Sequence, residues 1–118
     1  MELIGSKVEQ DFRKDLLKSN EFLFSSNEGK YILDVLSTHY GKIDTAYILY
    51  WIPEQGEDLY SILVNSDMIF EVEISHDRPV CQIIKWKKKS EYLRKLSKMK
   101  QIKLAVALDL GQKAMGNG

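Results

Sequence analysis

Apolar residues recur at two different periods along the chain, and the period changes near Asp44. Before it, Ile4, Val8, Phe12 and Leu16 return every fourth residue while Lys7, Asp11, Lys14 and Lys18 fall elsewhere. That spacing puts the apolar set on one face of a helix of about four turns. Ser6-Lys7-Val8-Glu9 supplies its start, because a serine hydroxyl can take an orphan amide while a glutamate three residues on reaches back to the cap. A second box, Ser25 to Glu28, predicts another helix, with Ile32, Val35, Leu36 and His39 on its apolar face and Gly41 as its stop.

After Asp44 the segments TAYILYWIP, DLYSILVN, MIFEVEIS and PVCQIIKW follow one another, rich in β-branched and aromatic residues. The connections PEQGED, Asn65-Ser66-Asp67 and SHDRP are short enough for hairpins, so four strands in an antiparallel meander are predicted. In MIFEVEIS, Met68, Phe70, Val72 and Ile74 point one way and Ile69, Glu71 and Glu73 the other. The same alternation in AYILYW separates Tyr47, Leu49 and Trp51 from Ile48, Tyr50 and Ile52, leaving one large aromatic set as a candidate for exposure.

The last third returns to helical spacing. In KSEYLRKLSKM, Tyr92, Leu93, Leu96 and Met99 form an apolar stripe with Arg94, Lys95 and Lys98 behind it. Lys100 and Lys103 would land inside that stripe, so the helix is expected to end near Met99. IKLAVALDL alternates as a strand does, but its Ala and Leu content and the following Gly111 favour a helix. Residues 111–118 are expected to fray. The fold class is α+β: two N-terminal helices, a four-stranded antiparallel meander, and C-terminal helices packed on one face of the sheet.

Composition narrows the class without naming a function. At 118 residues, 44% apolar and 29% charged, the chain is one domain, 1–118, able to close a core unaided. No basic and apolar leader opens it and no apolar run reaches the roughly 20 residues of a membrane span, so a cytoplasmic protein is expected. Cys81 has no second cysteine to pair with and is expected as a buried, reduced thiol. The net charge is zero but uneven: residues 85–103 set nine Lys or Arg against Glu91, while residues 1–84 set seven cations against fifteen acids.

That unevenness sets the candidate sites. Lys85, Lys87, Lys88, Lys89 and Arg94, with Trp86 among them, offer cations for phosphates and a flat ring for bases. The same lysines also serve as a solvated helix face and a blunted edge strand, and the acidic remainder of the chain would repel a phosphate backbone. Glu71 and Glu73 share a face, with Asp67 and Asp77 at the strand's ends, a set that could hold Mg²⁺ for nuclease chemistry; Ser75 stands where that chemistry wants a lysine. His39 and His76 have no partner pattern, and no HxxxH, CxxC, GxSxG or phosphate loop is present. No cofactor is expected. Glu54, Glu57, Asp58, Glu71 and Glu73 around Tyr47 and Trp51 remain as an acidic, aromatic partner-binding patch.

The layout of two capped helices, DTAYILYWIPEQGEDLYSILVNSDMIFEVEIS as a meander, then KSEYLRKLSKM and QIKLAVALDL, resembles small bacterial immunity proteins of toxin and immunity pairs, including those of contact-dependent growth inhibition. The resemblance implies a non-catalytic cytoplasmic protein that binds one cognate toxin by charge complementarity; zero net charge departs from the strongly acidic members. A nucleic-acid-binding domain using residues 85–103 is the second reading, and a metal-dependent nuclease the third.

Overall fold

The computed structural model describes residues 2–77, 80–92 and 96–116. In chain order the elements are α1 (Lys7–Ser25), α2 (Asn27–Tyr40), β1 (Ala46–Pro53), β2 (Glu57–Val64), β3 (Met68–Ser75), β4 (Cys81–Lys88), α3 (Lys89–Tyr92) and α4 (Lys98–Gly116). The four strands form one sheet in the order β1-β2-β3-β4, every pair antiparallel, so the α+β meander stands as the sequence predicts. Among the described residues no helix is long and apolar enough to cross a membrane.

Local chemistry explains the ends. Ser6 caps α1, its Oγ accepting from Glu9 N at 3.3 Å, and the Glu9 carboxylate reaches back to Gly5 N at 2.9 Å and Ile4 N at 3.2 Å. Burial alone would raise the Glu9 carboxyl; those amide donors and the Ser6 hydroxyl outweigh it and hold it below its ordinary value. The cap of α2 is Ser26, one residue beyond the expected Ser25, with Gly29 N donating to its Oγ at 2.9 Å. Gly41 ends α2 at φ 107°, a conformation other residues rarely adopt. At the β2–β3 turn Asn65 and Ser66 take φ of 51° and 55°, the left-handed pair that matches strand twist in a tight hairpin. The Asn65 side chain also bonds Asp44 N, Thr45 N and Lys42 O, tying the α2–β1 loop to that turn.

Helices lie on both sides of the sheet. On one, the α2 face, Ile62, Val64, Phe70, Val72 and Ile74 meet Ile32 and Leu36 of α2 and Leu23 of α1. On the other, the α4 face, Tyr47, Leu63 and Ile69 meet Leu104, Val106, Ala107 and Leu110 of α4 and Leu16 of α1. Helix α1 passes the outer edge of β1 and joins the two cores. There Asn20 Nδ2 donates to Ala46 O at 3.1 Å and Ser19 Oγ accepts from Ile48 N at 2.9 Å, so side chains finish the ladder an edge strand leaves open.

Three expectations are corrected. Ile4 is 82% exposed and Val8 37%, so the stripe α1 buries is Phe12, Leu16 and Leu23. The helix expected to run to Met99 is described as the short α3, with Leu96 and Ser97 non-helical, and the next helix, α4, already begins at Lys98. Lys103 sits in the apolar stripe of α4 because aromatic rings receive its ammonium: Nζ is 5.5 Å from the Tyr50 centroid and 5.6 Å from that of Phe12. The tail expected to fray from 111 instead continues as helix to Gly116, and Gly111 is buried where a Cβ would come within 2.1 Å of Ser66 Oγ. Leu93, Arg94 and Lys95 lie outside the described residues.

Candidate functional site

Two β-bulges decide which side chains reach the surface. In β1, Ile48 pairs with Ile62 but Tyr50 pairs with Ser61, so Leu49 is an extra residue and the alternation reverses after it. Tyr47 and Tyr50 therefore share the α4 face, and Trp51, opposite Tyr60, moves to the α2 face. In β4, Lys85 pairs with Glu71 and Ile83 with Val72, leaving Ile84 as the extra residue. The partner patch read from uninterrupted alternation is thus split: Tyr47 is only 3% exposed beneath α4, whereas Trp51 is 58% exposed, stacked on Tyr60 with ring centroids 6.5 Å apart.

The cover given by α4 stops halfway along its face. Beyond Tyr47, Leu63 and Ile69 lies a hollow of about 220 Å³ lined by Tyr50, Ile52, Leu59, Ser61, Ile84 and the Glu71–Lys85 pair. Ile52 is 54% exposed and Ile84 49%. The Tyr92 hydroxyl reaches Ser61 at the covered end; burial pushes this phenol up and the serine works against it.

One glutamate lines this hollow, and others share its face of the sheet. Glu71 Oε2 lies 3.1 Å from Lys85 Nζ directly across the β3–β4 pair, an ion pair whose angles fall short of a hydrogen bond. Glu57 and Glu73 sit diagonally on neighbouring strands, and their carboxyls meet. The hydrogen bond to Glu73, then burial and the charge of Glu73, raise Glu57 above the ordinary carboxylate value, with His76 working the other way. Glu54 is exposed in the β1–β2 hairpin. Asp58 points to the opposite face, where His76 Nε2 lies 3.1 Å from its Oδ1. So Glu54, Glu57, Glu71 and Glu73 gather on one side, and Asp58, Trp51 and Tyr47 do not join them.

The cations of the basic segment are distributed between the faces. Lys85 pairs with Glu71, Lys87 lies 5.6 Å from the Tyr92 ring centroid, and Trp86 turns to the α2 face, where the His39 ring lies 4.2 Å away. Lys88 and Lys89 are exposed where β4 gives way to α3; Arg94 falls outside the described residues. The carboxylates read as a metal set separate as well: Glu71 and Glu73 share a face, but Asp67, at the far end of β3, accepts from the Tyr40 hydroxyl at 2.9 Å. Among the described residues no three His, Cys, Asp or Glu side chains are placed to hold a metal ion. Cys81 is buried and its thiol is pushed up to about 11.

Ile52, Leu59 and Ile84 carried no signal in the sequence, because their exposure depends on where α4 ends and on a bulge with no glycine to announce it. Comparison with family models, curated proteins and solved structures returns no match.

Proposed function

We propose that this chain is a non-catalytic protein-binding module and that it meets its partner with the uncovered half of the α4 face. The observation that carries this reading is that the helical cover stops midway across the sheet. Apolar Ile52, Leu59 and Ile84 are left beside the Glu71–Lys85 pair, with Glu57 and Glu73 on the same face of the sheet. An apolar centre beside charged groups is the anatomy of a specific protein interface, and with Glu71 paired to Lys85 it is the Glu57 and Glu73 carboxyls that select a basic surface. Glu57 and Glu73 crowd each other, so a lysine or arginine brought between them would relieve a repulsion already present. The resemblance to immunity proteins makes a toxin domain with a basic cleft, a nuclease among them, the first partner class to test; occlusion of that cleft would be the means of neutralisation. Capture from the source cells at low salt tests it. Wild type should retain a partner that elutes as salt rises, and Glu57→Lys with Glu73→Lys should lose it; retention of the same partner by the charge-reversed variant would remove the reading.

A further inference from the structure

A second groove lies along the outer edge of β1, separated from the hollow by the Tyr50 and Tyr60 rings that line both. It is a channel of about 500 Å³ between α1 and the strand, with Phe22, Trp51 and Tyr60 at one end and Tyr50 and Lys103 at the other. It follows the strand edge at the point where α1 stops covering it. Ser19 and Asn20 occupy the outer edge at Ile48 and Ala46, and among the described residues nothing occupies it further along.

The hydrogen-bonding phase of that free edge can be derived. Glu54 N donates to Glu57 O at 2.8 Å, so this pair is a bonded one. Bonded and non-bonded pairs alternate along an antiparallel ladder. Pro53–Asp58 is then non-bonded, Ile52–Leu59 bonded and Trp51–Tyr60 non-bonded. Both the N–H and the C=O of Trp51 therefore face away from β2 into the groove, and Pro53, with no N–H, ends the available edge.

The charges in the groove are unbalanced. Lys103 is half-buried, and Lys100 Nζ is 4.8 Å from the same Tyr50 ring. Among the described residues neither ammonium has a carboxylate within ion-pair distance. Burial pulls the Lys103 pKa down, partly countered by the charge of Asp15 across the groove. A desolvated cation resting on rings is a receptor for an anion.

We propose that the free edge of β1 at Trp51 receives an extended acidic segment of a partner protein by strand addition. One of its carboxylates would sit on Lys103 and Lys100, and the neighbouring apolar side chain would enter the groove against Phe22 and Tyr60. The alternation follows from the pleat, which sends successive side chains of an added strand to the two ends of the groove. This site shares the Tyr50 and Tyr60 rings with the hollow on the α4 face but not Glu57, so Glu57→Lys leaves it intact.

The probe is acetyl-Glu-Val-Glu-Leu-Glu-amide titrated into ¹⁵N-labelled protein, with acetyl-Lys-Val-Lys-Leu-Lys-amide as its control. The acidic peptide should shift the Trp51 amide saturably and slow its hydrogen exchange at least tenfold. Lys103→Met should weaken binding tenfold or more, and Asp15→Asn should tighten it severalfold. Should Lys103→Met unfold, Lys100→Met, at an exposed position over the same ring, should still weaken binding about threefold. Equal shifts from the lysine peptide, shifts without slowed Trp51 exchange, or unchanged affinity in a folded Lys103→Met or Lys100→Met protein would overturn the proposal. So would Trp51 protection that grows with protein concentration and ignores peptide, since the occupant would then be a second copy of the chain.

Discussion

The two faces of this sheet carry the same strands under different cover. On the α2 face apolar side chains run from Val64 to Ile74 beneath α1 and α2, and Ile62, Val64, Phe70 and Val72 are fully buried. On the α4 face the cover ends after Tyr47, Leu63 and Ile69, and the strands continue past it with Ile52, Leu59 and Ile84 beside the Glu71–Lys85 pair. The α2 face is therefore covered along the middle of its strands, with Trp51 and Trp86 half-exposed at its margins, while the α4 face is buried at one end and leaves an apolar set free to bind at the other. A protein stabilised only by burial would have no reason to leave the second half bare.

Truncation should separate the two faces most sharply. Phe70 is fully buried, so Phe70→Ala should cost about 3–5 kcal/mol in denaturant unfolding, while Ile84→Ala, at a half-exposed bulge, should cost under about 1 kcal/mol. Equal losses would mean that the α4 face is as closed as its opposite.

Helix cover can be probed next. At Gly29 a Cβ would fall 2.1 Å from Phe22 O, backbone that cannot swing aside, so α1 and α2 would have to part. Gly29→Ala should destabilise by about 2 kcal/mol, whereas Gly56→Ala, with nothing within 4 Å, should be near neutral.

The smallest effect is in pH. Asp109 faces Arg13 at 2.9 Å and Lys113 at 3.1 Å; burial would raise it, but these cations hold it below the ordinary value. A lowered carboxyl adds stability above its unfolded pKa, lost as pH falls through the folded one. Glu57 has the opposite sign: raised by Glu73, it favours the fold below its unfolded pKa and loses that contribution as pH rises through its folded value. Melting curves from pH 3 to 7 should therefore show Asp109→Asn narrowing the difference between acid and neutral stability by about 0.5 kcal/mol, and Glu57→Gln widening it slightly.

The α1 cap, the order of elements and the meander were legible, and the α2 cap to within one residue, because serine caps, a glycine stop and the change of period each act within a few residues. The α4 boundary was not. Lys100 and Lys103 looked like a break in the stripe, and only the fold brings Tyr50 and Phe12 beneath them. The bulges at Leu49 and Ile84 were equally invisible, having no glycine, yet the first moves Trp51 away from Tyr47 and the second places an isoleucine beside the Glu71–Lys85 pair. The acids of the site were named from charge alone; their sorting, with Glu54, Glu57, Glu71 and Glu73 on one side and Asp58 on the other, is a matter of register.

The most direct test of the binding role of the half-open face compares two residues equally exposed on different surfaces. Ile84 is 49% exposed on that face and Leu17 is 50% exposed on α1. With the captured partner in hand, Ile84→Asp should speed its dissociation about thirtyfold, the roughly 2 kcal/mol of a central interface residue, and Leu17→Asp should leave it unchanged. Equal rates for the two variants would show that the uncovered half of the sheet is not where this protein meets its partner.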